Sequence, residues 1–523
     1  MIKKKIYKWH RTCSLIIAIP VLLWAASGLM HPVMTNIRPN IATQYITPTV
    51  IDINKIKISL QQTLIKNNID SFQSFRLVHI DTNWFYQIKT ASSNQLQYLS
   101  TETGKKLNKG DWIYAQYLAR YFLEGNSEKK KDSFNINPIN NKPVSTLDCC
   151  DAAAAYVLKP SKGCVVKDIS FLSTFDNEYR NINRLLPVYK VSFERKDGIK
   201  VYVETAQDRF AFAVDNKRAT LNTLFNLIHT WEWINFLGKG KIFVELFFSG
   251  LAFITAVMGI YIFFITKSKK INGNSLVKAR RNHRYTSIVI VLFTLMFTFS
   301  GFYHAFSKFK DDTRDKFFVT NSFLSSSNQL NINKLFTVIP KPVINISLIK
   351  MYNAWYWQVT TKSNSNSKDL MKEMSVNKPS VEYLNTTDLS VIPDGDKKYA
   401  HYLAEKFSKY TAVEIVSDSL ITKFDDEYNF TDKRLPVWKI VYAKNNNERY
   451  YVETTTGKLS KQINDNDLYE GYSFALLHKH HFMDFAGKNW RDFSTMFWAA
   501  AQIIMVIVGL MLYFKFINKN KKA

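Results

Sequence analysis

The sequence is poor in cysteine and lacks the short motifs by which many cofactor sites are recognised. Only four of its 523 residues are Cys, and no C-x-x-C-H occurs, which excludes covalent attachment of a c-type haem. There is also no G-x-G-x-x-G opening a helix, no P-loop, no G-x-S-x-G and no H-E-x-x-H. The sequence therefore gives no indication that the chain has its own nucleotide, flavin or NAD(P)H site.

Acidic residues are absent from three short basic segments, and this absence predicts an orientation. The three segments, which together hold 16 Lys and Arg, are 1–11, 266–284 and 515–523. They flank four apolar runs long enough to cross a bilayer, at 12–34, 242–265, 285–306 and 493–514. Basic segments stay on the cytoplasmic side of a membrane, so we expect residues 35–241 and 307–492 to form two external domains.

With one membrane and no lipidation signal, the expected location is a bacterial inner membrane with both large domains in the periplasm. The first apolar run follows MIKKK as a signal peptide does. Its pattern recurs at 283–304, where cleavage makes no sense, so we expect a retained span. The rest of the chain also has a basic surplus. That surplus suits anionic membrane lipid or an anionic ligand, and it gives no reason to expect nucleic acid.

The chain consists of two copies of one unit. The matching segments, all at a spacing of 249 residues, are LPVYK at 186–190 with LPVWK at 435–439, YVET at 202–205 with YVET at 451–454, and LIHTWEWINFLGK at 227–239 with LLHKHHFMDFAGK at 476–488. An insertion near 123–170 lengthens the first half. Each half therefore reads as span, external domain, span, which predicts a four-helix membrane bundle with a pseudo-two-fold axis along the membrane normal.

Each external domain contains a smaller repeat of strands, turns and helices. The segments that read as a strand, a turn and a new strand begin at Tyr98, Tyr202, Tyr383 and Tyr451. Helical stretches at 112–122 and 397–408 separate them. The predicted fold class is therefore a helical membrane bundle with α+β external domains, and each domain holds two modules with small antiparallel sheets.

Three of the four cysteines lie in the insertion, on the side expected to be oxidising. A disulfide from Cys164 to Cys149 or Cys150 is the expected arrangement. A redox relay through the adjacent pair and free thiols are the alternatives. Cys13 lies at the cytoplasmic edge of the first span.

Three pairs of histidines recur at matching positions of the two halves: His10 with His283, His31 with His304, and His229 with His478. The two members on each odd-numbered span are 21 residues apart, which is about 31 Å of helix, the thickness of a bilayer's hydrocarbon core. Interfacial anchoring does not require the same residue at the same offset in both halves. Four histidines have no repeat partner: we expect His79 and His401 to be ordinary surface or core residues, whereas His480 and His481 stay candidates because they are close to His478 in the chain.

Neutral imidazole is a good axial ligand for haem iron, and a bilayer supplies a dry pocket. The predicted axis brings His10 and His283 together at the cytoplasmic end, where Arg11 and Arg284 could neutralise haem propionates. The outer candidates, of which any two could hold one haem or all four could hold two, are His31, His304, His229 and His478.

Zinc and di-iron are the competing metal centres. Histidine pairs about 31 Å apart are not clustered as a structural zinc site requires. A di-iron site would use Glu-x-x-His within the bundle, and Glu245 is the only carboxylate within a span and has no companion His.

The chain resembles the PepSY-associated transmembrane proteins, a family that includes inner-membrane ferric-siderophore reductases. The resemblance covers nearly the whole chain. It rests on the W-H-R that opens the first span, the Ser-Gly near the end of each odd-numbered span, the four Tyr-containing strands and the L-h-H segments at His229 and His478. It implies PepSY-like external modules, b-type haem (two haems here) and electron transfer outward to a ferric chelate.

Three functions are consistent with these features. The first is a transmembrane b-haem oxidoreductase that reduces a ferric siderophore or other ferric chelate, with electrons from quinol or a separate cytoplasmic reductase. The second is a PepSY-type binding or regulatory protein without redox activity. The third is a permease for iron or haem, although ionisable residues within the spans are scarce and the spans are not broken by Gly or Pro. The symmetric histidine pairs favour the first.

Overall fold

The computed structural model describes residues 2–93, 95–125, 165–268, 270–271, 274–310, 317–327, 329–362 and 380–521. Most of the expected insertion, with Cys149, Cys150 and Cys164, lies outside these residues, so the expected disulfide stays a prediction. Cys13 is a free thiol.

Four of the helices are long, and shorter ones belong to the domains between them. The helices are α1 (Ile2–Asn36), α2 (Leu60–Lys66), α3 (Gly110–Glu124), α4 (Asn216–Ile228), α5 (Gly240–Ile265), α6 (Ser275–Ser307), α7 (Leu335–Val338), α8 (Gly395–Ser408), α9 (Asp465–Ser473) and α10 (Lys488–Lys521). By length and composition α1, α5, α6 and α10 can each cross a membrane. Each contains one of the four expected spans, and α1 continues without a break through Pro20 and Pro32.

The strands form small antiparallel sheets, as the strand–turn–strand pattern predicts. They are β1 (Ser71–Phe72), β2 (Ser74–Ile80), β3 (Asn83–Lys89), β4 (Gln97–Ser100), β5 (Val166–Leu172), β6 (Val188–Phe193), β7 (Lys200–Glu204), β8 (Arg209–Val214), β9 (Phe323–Leu324), β10 (Val343–Met351), β11 (Ala354–Thr361), β12 (Ser380–Asn385), β13 (Ile415–Ile421), β14 (Val437–Tyr442), β15 (Glu448–Glu453) and β16 (Lys458–Ile463). Sheets β2–β4 and β10–β12 have three strands, and sheets β5–β8 and β13–β16 have four.

The two halves share a hydrophobic core outside the helical bundle. In each half a helix, α3 or α8, packs between the three-stranded and the four-stranded sheet. Across the halves, β2 packs against β10, and Trp84 and Tyr86 share one core with Trp357 and Val359. A short antiparallel pair, β1 with β9, adds a backbone link between the halves at Phe72 and Phe323.

Side-chain caps fix where several helices begin. Ser59 and Gln62 form a capping box at the start of α2, and Asp215 accepts a hydrogen bond from the Arg218 backbone N–H at the start of α4. Asn274 caps α6 and Asn464 caps α9 in the same way.

The four long helices pack with the symmetry that the repeat predicts. α1 contacts α10 and α5, and the equivalent helix α6 contacts α5 and α10. Small residues allow close approach at these contacts: a Cβ at Gly28 of α1 would lie 3.3 Å from the Cβ of Ala499 of α10. A site between these four helices therefore takes side chains from both halves.

The two four-stranded sheets meet through a buried ion cluster on this axis. Glu453 is 0% exposed and binds Arg209 of the first half and Arg434 of its own, the latter at 2.9 Å. Glu204, the equivalent of Glu453, binds Arg209 at 3.2 Å. Burial alone would raise the pKa of the Glu453 carboxyl, but Arg209 and Arg434 outweigh it and hold the pKa at about 2.

Glu453→Gln should destabilise the protein by about 3–5 kcal/mol at neutral pH, because it leaves buried arginine charge unpaired. Because the pKa of Glu453 is lowered by folding, its contribution is complete above the unfolded pKa of about 4.5 and is lost as pH falls towards about 2. Urea midpoints of the detergent-solubilised chain at pH 7 and pH 3 measure both effects. Glu102→Gln, at an exposed pair with Lys57, is the control and should change the midpoint little.

Equal midpoints for wild-type and Glu453→Gln protein at pH 7 would contradict a stabilising role for this cluster. So would a gap between them that fails to narrow at pH 3.

Candidate cofactor site

The predicted inner residues line one cavity between α1, α5, α6 and α10. The cavity has a volume of about 750 Å³, within the usual range of about 300–1,000 Å³ for cofactor sites. His10, His283, Arg11 and Arg284 all lie in its wall. The two histidines come from equivalent positions on α1 and α6, so the cavity lies on the pseudo-two-fold axis.

A glycine lies against each inner histidine. A Cβ at Gly259 of α5 would lie 3.3 Å from His10 Nε2, and one at Gly509 of α10 would lie 3.4 Å from His283 Cε1. A side chain at either glycine would occupy the space beside an imidazole. His283 Nδ1 is buried and has no hydrogen-bond partner in the described residues. These features fit a flat cofactor that reaches both rings.

Cations surround the end of the cavity that is expected to face the cytoplasm. Arg284 donates to the Phe263 carbonyl at 2.7 Å and stacks on its ring, while Arg11 lies 5.0 Å from the Phe516 ring centroid. Further cations in the wall are Lys8, Lys267, Arg280 and Arg281. Described residues supply no Asp or Glu to this wall. The donor set therefore suits a cofactor with carboxylates at one edge, as haem has.

At the outer end, His229 and His478 meet across the same axis. Their ring centroids are 6.3 Å apart and their planes are nearly perpendicular, at 78°. The two imidazoles are therefore direct neighbours across the axis. Neither ring lies in a long helix: His229 caps α4, and His478 ends a π-helical turn after α9.

A serine in each half fixes the protonation of these two rings. Ser27 Oγ lies 2.7 Å from His229 Nδ1 and donates its only proton to the Trp24 carbonyl. The ring must then donate from Nδ1, which leaves the lone pair of Nε2 available to a metal. Ser300 repeats the arrangement: its Oγ lies 3.1 Å from His478 Nδ1 and donates to the Phe297 carbonyl.

Burial keeps both outer rings neutral. Burial, followed by the nearby charge of Lys479, lowers the pKa of His229 to about 3. Burial, followed by His229 itself, holds the pKa of His478 well below its usual value of about 6.5. Two uncharged imidazoles with available Nε2 atoms are the form that ligates haem iron.

Equivalent aromatic stacks support the outer histidines. Phe225 stacks on His229 at 4.6 Å and Phe474 stacks on His478 at 4.8 Å between ring centroids. Each phenylalanine precedes its histidine by four residues, a helical neighbour on the same face. These stacks restrict the rotation of the two imidazole rings.

The second aromatic layer includes a histidine that sequence reasoning left unassigned. Trp24 stacks on Trp231 at 4.9 Å, and in the other half Phe297 stacks on His480 at 5.1 Å. His480 is 0% exposed, and its Nδ1 contacts Ser494 at 3.0 Å. The sequence did contain a signal for this position: His480 aligns with Trp231 in the repeat, which predicts a buried aromatic ring there.

His31 and His304 adjoin the outer pair but differ from each other. Lys479 Nζ lies 3.0 Å from His31 Nε2, whereas His304 Nδ1 forms a 2.7 Å contact with Glu470. His304 is close enough to His229 and His478 to affect their pKa values. All four outer candidates therefore lie in one region, and the direct ring-to-ring contact is between His229 and His478.

The remaining histidines have ordinary structural partners. His79 packs on Trp84 within the sheet β2–β4, and His401 contacts Asp418 at 3.1 Å. His481 contacts Asp484 at 2.7 Å. In the described part of the chain, no group of three or more His, Cys, Asp or Glu is arranged to hold a metal ion, so nothing there resembles a clustered zinc site.

Neither a protein-family model nor a curated protein matches this sequence.

Ser27→Ala or Ser300→Ala should lower the affinity for a haem at the outer pair by about 10–100-fold, because each removes the contact that orients one ligand. The haem content per chain of purified protein, after equilibration with apomyoglobin as a competitor, measures this. Ser249→Ala is the control, since Ser249 is buried in α5 and bonds only to its own helix. Unchanged haem retention in both serine variants would contradict the assignment of His229 and His478.

Proposed function

We propose that this chain is a membrane haem protein that transfers electrons across a bacterial inner membrane to reduce a ferric chelate. It would be a member of the PepSY-associated group with two b-type haems. The observation that carries the proposal is the pairing of histidines on one axis at two depths, with His10 and His283 at one end and His229 and His478 at the other. Anchoring a chain in a membrane requires neither the pairing nor the serine contacts.

A bound haem would supply reversible one-electron chemistry at its iron. In the inner cavity His10 and His283 would hold its iron, while Arg11 and Arg284 would neutralise its propionates. At the outer site the Nε2 atoms of His229 and His478 would be the ligands. This choice narrows the four outer candidates to the two rings in direct contact.

His31 and His304 would act beside the outer ligands. Lys479 donates a hydrogen bond to His31 Nε2, and this contact occupies the ring nitrogen that a metal would need. Glu470 accepts from His304 Nδ1 and so leaves its Nε2 available, but no second free imidazole faces it in the contacts observed. Their proposed role is to set the polarity around the outer ligands.

The substrate would be an Fe(III) chelate on the external-domain side. Addition of one electron gives Fe(II), whose lower charge weakens its bonds to hard oxygen donors, so the chelate releases its iron. The electron donor would be quinol or a cytoplasmic reductase, since the sequence has no motif for a nucleotide cofactor. External domains in the periplasm and a basic cytoplasmic face are part of the same proposal.

The protein purified from haem-replete cells should be red, with the Soret band and sharp reduced α-band of low-spin bis-histidine haem. His10→Ala and His283→Ala should each remove the same one of two haems, because one symmetric pair would hold one iron. Dithionite-reduced spectra and haem content per chain measure this.

The controls are His79→Ala and His401→Ala, whose side chains contact Trp84 and Asp418 away from both sites. Both should keep the wild-type spectrum. A colourless preparation would refute the haem proposal, and full haem content in either inner variant would refute the inner pair.

Reduced protein in proteoliposomes should be reoxidised by a membrane-impermeant ferric siderophore added on the external-domain side. Fe(II) should be trapped there by an impermeant ferrous chelator. An anionic chelate should react faster at low salt, because screening limits electrostatic steering to about 8 Å at physiological ionic strength. If reoxidation occurred only from the opposite face, or if no ferric chelate reoxidised the protein, the regulatory function would be favoured instead.

A further inference from the structure

Two cations face each other where the four-stranded sheets meet. Arg184 ends the 3₁₀ segment Asn181–Asn183, and Lys433 ends the equivalent segment Phe430–Asp432. Both have left-handed backbones, with φ of 66° and 58°. The two segments touch each other across the pseudo-two-fold axis. We call this region, defined by Arg184 and Lys433, the axial basic pair.

The axial basic pair has no anionic partner in the described residues. The Nε and Nη1 atoms of Arg184 are buried and have no hydrogen-bond partner. Lys433 donates to the carbonyl of Ala211 in the other half, a neutral acceptor. Burial, followed by the charge of Arg184, lowers the pKa of Lys433 to about 7. An isolated positive charge there is therefore costly.

Carboxylates in the same part of the sheet interface bind other cations. Glu453 and Glu204 bind Arg209 and Arg434. Asp432, next to Lys433 in the chain, binds Lys461 at 3.2 Å through Oδ2, and its buried Oδ1 has no hydrogen-bond partner in the described residues. Neither member of the axial basic pair forms an ion pair with these groups. Positive charge is thus left over at a partly buried position, with guanidinium donors that nothing satisfies.

We propose that Arg184 and Lys433 bind an oxyanion on the pseudo-two-fold axis, between the two four-stranded sheets. The free Nε and Nη1 can each donate an N–H to a carboxylate or phosphate oxygen, and the ammonium of Lys433 adds a compact second charge. The ligand class is a small, multiply charged carboxylate or phosphate. Binding would satisfy the buried guanidinium atoms and offset the repulsion between the two cations.

The site connects to the outer histidine pair. Arg180, which begins the segment that Arg184 ends, binds Glu232 at 2.8 Å and also donates to Asn226. These two residues lie on either side of His229 in the chain. If the proposed function holds, an anionic ferric chelate with carboxylate donors would bind here, beside the outer site. This identification of the ligand rests on the proposed function, whereas the oxyanion site does not.

The test is isothermal titration of the full-length chain in zwitterionic detergent with iron-free citrate and with inorganic phosphate. Arg184→Gln/Lys433→Gln should weaken binding of both by at least about tenfold. Lys409→Gln is the matched control, because Lys409 is also a left-handed lysine at a helix end but lies on an exposed surface. It should bind as the wild type does.

Thermal unfolding distinguishes loss of the site from loss of the fold. Without ligand, the double variant should melt at or above the wild-type temperature, because two unpaired cations are removed. Citrate should raise the melting temperature of the wild type and of Lys409→Gln, and not that of the double variant. Equal citrate binding in all three proteins, or no binding by the wild type, would overturn the proposal.

A further arm identifies the natural source of the oxyanion. In nanodiscs of phosphatidylglycerol, unchanged citrate binding relative to phosphatidylcholine nanodiscs would support a soluble ligand. If citrate binds in phosphatidylcholine nanodiscs but not in phosphatidylglycerol nanodiscs, the anionic lipid competes with citrate. That result would support the same site with a lipid phosphate as its natural ligand. Because these titrations measure the binding of iron-free anions, failure of the haem proposal would not affect their outcome.

Discussion

The buried cluster of Glu453, Arg209 and Arg434 is the interaction on which the other axial sites depend. Each candidate site takes one side chain from each half, so its geometry exists only while the halves keep their relative position. Apolar packing alone tolerates small sliding, but a buried carboxylate that binds arginines from both halves does not, since a displacement leaves charge unpaired in a dry environment. The cluster therefore fixes the register of the two halves.

The coarse fold could be predicted because it depends on local signals and an internal repeat. Apolar length identified the four helices, and turn residues after β-rich runs identified the antiparallel sheets, both of which the structure confirms. The repeat also selected the histidine pairs. The contact between Ser27 and His229 could not be predicted from the repeat, because these residues are 202 positions apart and their contact depends on how α4 packs against α1.

Departures from the repeat were also beyond sequence reasoning. His480 has no histidine partner in the repeat, yet it takes the position of the buried Trp231 and stacks as that tryptophan does. Likewise Lys479 and Glu470, whose equivalents are Thr230 and Leu221, place opposite charges beside His31 and His304. The outer region is therefore positively charged beside His31 and negatively charged beside His304, although the ligand pair itself is symmetric.

The pairing of β1 with β9 constrains the order in which the chain can fold. Ser71 and Leu324 belong to different halves, so the core around Trp84 stays open until about 250 further residues have been made. During that interval the first half presents an unpaired strand and an apolar sheet face, the kind of surface that chaperones protect. A gene encoding the first half alone would yield a domain that keeps this surface exposed. Two copies of such a domain could cover the surface by forming a homodimer.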